Sequence, residues 1–63
     1  MITITEQTRN EWSRMAKAAY ASGHNDIGHR FSVAATFKTL PVNKYDFLMI
    51  EYREWLCWNK WVA

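Results

Sequence analysis

The chain has 63 residues and reads as one domain, 1–63, because its length leaves room for a single small core. Hydrophobic residues at 49% and charged residues at 22% exclude a disordered chain, and a net charge of +2 is too weak to indicate a nucleic-acid partner. The single cysteine, Cys57, excludes an intramolecular disulfide, so a core this small calls for another staple, and oligomerisation is the one left.

Met1 to Thr5 reads MITIT. Isoleucine alternating with threonine favours extended structure, although the run is short. Helix signals follow at once. Thr3 with Glu6, and Thr8 with Glu11, both fit the S/T-x-x-E capping box. Trp12, Met15, Ala16, Ala19 and Tyr20 then recur at i, i+3, i+4, i+7 and i+8, with Arg9, Asn10, Ser13, Arg14 and Lys17 opposite. The spacing predicts a helix that ends near Ser22, with Gly23 as the left-handed residue after it. Ala16 and Ala19 leave space for a bulky partner.

His24 to His29, HNDIGH, contains the turn formers Asn25, Asp26 and Gly28 and reads as a polar connecting loop. Its two histidines fall short of the four ligands of a structural zinc site, so no metal is expected. In Arg30 to Lys38, Phe31, Val33, Ala35 and Phe37 alternate with Ser32, Ala34, Thr36 and Lys38, the period of a half-buried strand. Val33, Phe37 and Leu40 also sit at helical spacing, which keeps a helix as the alternative. A lone strand leaves its backbone donors and acceptors unpaired. The simplest remedy is an antiparallel pairing with the same strand of a second copy, through Phe31, Val33, Ala35 and Phe37. The Ile2–Ile4 segment is the other available partner.

Thr39 to Val42 is a turn carrying Pro41, which blocks any helix from running through it. The stretch from Tyr45 to Val62, YDFLMIEYREWLCWNKWV, then reads as a helix capped by Asn43 with Asp46 three residues on. Tyr45, Leu48, Met49, Tyr52, Trp55 and Leu56 form one apolar face; Phe47, Ile50, Cys57, Trp58 and Trp61 form a second. A surface helix needs one apolar stripe, so a helix with two must be covered on both sides. Lys44, Asp46, Glu51, Arg53, Glu54 and Lys60 exclude a membrane span. The reading is therefore an α+β helix–strand–helix protomer in an intertwined homodimer whose strands pair across the two-fold. The alternative is an all-α three-helix domain.

No sequence motif carries catalysis: there is no glycine-rich phosphate loop and no nucleophile elbow. Cys57 among tryptophans reads as an inert packing thiol, and Glu51 and Glu54 as solvated helix charges. No enzyme and no cofactor are expected. No charged segment followed by an apolar run opens the chain, so the expected location is the cytoplasm. The aromatic residues suit a protein-binding groove lined by Trp12, Tyr52, Trp55 and Trp58, able to take an amphipathic helix. The second functional reading is a small dimeric DNA-binding transcriptional regulator, with Arg30, Ser32, Thr36 and Lys38 facing outward from a paired-strand ribbon. The ribbon-helix-helix family works this way, but with its strand ahead of both helices.

The run Asn10–Phe47, NEWSRMAKAAYASGHNDIGHRFSVAATFKTLPVNKYDF, resembles the small early proteins of lambda-like temperate phages, encoded between the recombination and excision genes. The likeness is general, covers most of the chain and carries no functional residue across by position. It implies expression early in infection, in the host cytoplasm. It also implies a non-enzymatic protein without cofactor that favours lytic development by binding a host or phage protein.

Overall fold

The computed structural model describes residues 1–59, with side chains through residue 57. In chain order the elements are β1 (Ile2–Thr3), α1 (Glu6–Ala21), α2 (Asn25–Ala34), β2 (Thr39–Leu40) and α3 (Val42–Asn59). The architecture is three helices with a minimal antiparallel sheet, in which Ile2 pairs with Leu40 and Thr3 with Thr39.

α1 starts between the two expected capping boxes, of Thr3 with Glu6 and Thr8 with Glu11. Thr5 is the cap: its hydroxyl oxygen accepts from the Thr8 amide at 3.1 Å and its O–H donates to the Thr8 hydroxyl at 3.0 Å. A Thr-x-x-Thr pair thus satisfies an end usually closed by a glutamate. The C-terminus ends as the sequence indicates. His24 N–H donates to Ala19 O at 2.8 Å, Gly23 N–H donates to Tyr20 O at 3.1 Å, and Gly23 has φ of 85°. This is the paired bonding of a Schellman stop, which requires a residue comfortable in the left-handed region.

The next segment corrects the sequence reading twice. His24–His29 is not a loop, and Arg30–Lys38 is not a strand. Residues 25–34 form α2, and Ala35 closes it. Phe31 and Val33 lie within the helix, and Phe37 follows in the turn beyond it. The expected two-fold seam of Phe31, Val33, Ala35 and Phe37 therefore has no strand to build it. The alternation was accidental. The buried stripe is Ile27, Gly28, Phe31, Ala34 and Ala35, at i, i+1, i+4, i+7 and i+8. Small residues in that stripe let α2 lie close to α1: a Cβ on Gly28 would stand 3.0 Å from the Tyr20 ring. Packing thus overrides the turn propensity of Asn25 and Gly28 and the strand propensity of Val33 and Phe37. α2 stops where the Thr36 hydroxyl donates to Val33 O at 2.6 Å, a local alternative to further helix.

The chain then extends. Ile4 N–H donates to Lys38 O at 2.8 Å, continuing the pairing of β1 with β2. The inward-facing side of the Ile2–Ile4 backbone is thus paired within one chain. α3 begins at Val42, and the Pro41 carbonyl accepts from Tyr45 N–H at 2.9 Å. Asn43 therefore sits inside the first turn instead of capping it.

The core gathers Ile4, Trp12, Met15, Ala16, Phe31, Ala34, Leu40 and Leu48. Trp12 is its centre, with 0% exposure. Its ring meets Phe31 of α2 edge-on at 5.8 Å and Tyr45 of α3 at 6.1 Å. Trp→Ala in a core typically costs about 3–5 kcal/mol, against a total stability of roughly 3–9 kcal/mol for a chain this long. Trp12→Ala is expected to remove about half or more of that stability, read by denaturant titration followed by far-ultraviolet dichroism. Gly28→Ala is expected to couple to Tyr20. The change should be more favourable by about 0.5–1 kcal/mol in a Tyr20→Ala background than in the native chain, and additivity of the two changes would contradict the packing described.

Candidate protein-interaction surface

α2 and α3 run antiparallel. The His24 ring meets Trp55 edge-on at 5.4 Å, while Arg30, further along α2, meets Glu51, further back along α3. Arg30 also places its guanidinium 5.6 Å from the centre of the Phe47 ring. The Arg30–Glu51 ion pair corrects two expectations at once. Glu51 is a partly buried partner, not a solvated charge, and Arg30 is turned onto α3, not outward from a ribbon. With Ser32 on α2 and Thr36 and Lys38 beyond its end, the paired-strand ribbon for DNA is absent.

Among the described residues the two apolar faces of α3 part, with Leu56 the exception. Tyr45, Leu48, Met49, Tyr52 and Trp55 turn toward the core. Phe47 and Ile50, from the second face, are 54% and 56% exposed. Cys57 is exposed as well, which corrects its reading as a packing thiol. The side chain of Trp58, with Lys60, Trp61 and Val62, lies outside the described residues.

Among the described residues, two grooves flank α3. The one between α2 and α3 has a volume of about 560 Å³. Ala34, Leu40 and Leu48 form its buried floor, exposed Val33, Phe37 and Phe47 its walls, and Asp26, His29, Arg30 and Lys44 its rim. The one between α1 and α3 has a volume of about 260 Å³ and is lined by Glu11, Arg14, Met15, Ala18, Tyr52, Trp55 and Leu56. Of the expected binding residues, Tyr52 and Trp55 come together in this second groove. Trp12 does not join them, because a fully buried ring has no surface to offer. Leu56, which the sequence placed on the core face of α3, is 48% exposed at the groove edge.

Tyr52 is the polar anchor of this groove. Its hydroxyl donates to Glu11 Oε2 at 3.4 Å. Burial pushes its ionisation above the ordinary phenol value, and the negative charge and hydrogen bond of Glu11 push the same way, with Arg14 opposing. No three His, Cys, Asp or Glu side chains converge among the described residues. Searches of known protein families, characterised proteins and solved structures find no match to this chain.

A phenol held protonated in the fold contributes stability that is complete below its unfolded pKa of about 10 and is lost as pH rises through the higher folded value. Alkaline titration of tyrosinate absorbance should therefore show one phenol ionising late. Glu11→Gln should bring Tyr52 down toward the ordinary phenol value, and no change in that variant would remove Glu11 as a cause.

Proposed function

We propose that this chain is a small, non-enzymatic early protein of a temperate phage that favours lytic development by binding a host or phage protein in the host cytoplasm. The proposed binding surface is the groove between α1 and α3. The observation that supports it is exposed Leu56 beside the half-buried rings of Tyr52 and Trp55. Aromatic rings anchored at one side and open at the other are the residues that dominate protein interfaces. The groove has the dimensions of a seam between two helices, with Glu11 and Arg14 at its edge. Its natural ligand is an amphipathic helix that inserts apolar side chains at i, i+3 or i+4 spacing. The phage context rests on the resemblance of Asn10–Phe47 to early proteins of lambda-like phages. No described helix is long and apolar enough to cross a membrane.

Expression of the chain in a lysogen is expected to shift the population toward lytic growth, read as released phage per cell. Leu56→Asp and Trp55→Ala should abolish the shift while the dichroism spectrum stays native. A protein recovered with the chain should bind the purified chain directly, keep binding as salt is raised, and lose it with the same two substitutions. Full lytic stimulation by a folded Leu56→Asp chain would sink this surface. Binding that falls steeply with salt would point instead to a charged ligand such as nucleic acid.

A further inference from the structure

We infer that the groove between α2 and α3 is occupied by the same groove of a second copy of this chain, in an isologous dimer. The inference is independent of the binding surface proposed between α1 and α3, on the other side of α3.

The apolar content of the groove comes first. Val33 and Phe37 on one wall and Phe47 on the other are exposed, with Ile50 exposed on the next turn of α3 beyond Phe47. A chain of 63 residues that leaves this many large apolar side chains on one face, with no disulfide to hold it, exposes an adhesive patch. This alone does not say what covers it.

The charges do. Asp26 stands in the first turn of α2 and Lys44 in the first turn of α3, and both line the groove. Because the two helices run antiparallel, these residues lie at opposite ends of it, separated by most of the length of the 10-residue α2. From Asp26 to Ala34, at about 1.5 Å per residue, that is roughly 12 Å. The groove therefore has an acidic end and a basic end. A two-fold axis through its middle sets Asp26 of each copy against Lys44 of the other, so that one rule of contact satisfies both ends. Neither residue has an ion-pair partner among the described residues. Lys44 has an additional reason to attract a carboxylate: it sits at the positive end of the α3 dipole, and the first turn of α3 holds no acidic residue. Arg30, near the middle of the groove, is already neutralised by Glu51 and brings no net charge to the axis. A patch that is apolar along its length and oppositely charged at its ends is complementary to itself.

The experiment is sedimentation equilibrium of the full chain over a dilution series, with charge reversal as the specific probe. The native chain should show a mass of twice the chain mass that falls toward the monomer on dilution. Asp26→Lys and Lys44→Asp should each weaken the dimer by about tenfold or more, since each acts at two symmetric contacts. The double variant should restore most of the loss, because reversal at both ends recreates the complementarity. Phe47→Asp should give a folded monomer, with native dichroism and thermal midpoint showing that the fold survives. A monomeric mass at every concentration would overturn the inference and hand the groove to a different ligand. So would a dimer unchanged by Phe47→Asp, or a double reversal no stronger than either single one.

Discussion

The burial of Trp12 is the constraint from which the rest follows. One indole supplies the contact that α1 makes with α2 through Phe31 and with α3 through Tyr45. Among the described residues the other large side chain that is fully buried is Phe31, which is itself in contact with Trp12. Small residues, Ala16 and Ala34 in the same core and Gly28 against the Tyr20 ring, let the helices come close. The two-strand sheet then acts as a clasp, bringing Ile4 and Leu40 over the core and fixing the point from which α3 departs.

The legibility of each segment tracks how many independent signals it carries. α1 was readable because a helical stripe and a C-terminal glycine agree. α3 was readable from its length and apolar content; its two apolar faces call for cover on both sides, and in the single chain Phe47 and Ile50 of the second face are exposed. Residues 24–38 were misread because their signals conflict. Turn formers occupy the first turn of α2, and a period-two alternation coincides with a helix whose buried positions are small. Glycine and alanine carry little hydrophobic weight in a pattern, yet at Gly28 and Ala34 they are the contact surface. Only the position of α1, which sequence periodicity does not contain, decides between the two readings.

The same reasoning divides the expected site. Tyr52 and Trp55 were placed together because they share a helical face, and local geometry is enough for that. Trp12 was grouped with them on residue type, and the choice between core and surface for a tryptophan depends on what packs over it. Arg30 and Glu51 are 21 residues apart and their pairing left no local trace in the sequence. What results is a domain that uses one face of α3 to fold and leaves Phe47, Ile50 and Leu56 of that helix exposed. For a chain of this size, surface that the core does not consume is the main resource available for recognition.

The central claim is that residues 25–34 are a helix packed under Trp12. The measurement that tests it most directly is a solution NMR study of the labelled chain. The account predicts helical carbon shifts from Asn25 through Ala34, and cross-relaxation from the Trp12 indole to the rings of both Phe31 and Tyr45. Extended shifts from Arg30 to Lys38, with Phe31 and Val33 showing contacts to the same residues of a second chain, would contradict it and return the molecule to a paired-strand dimer.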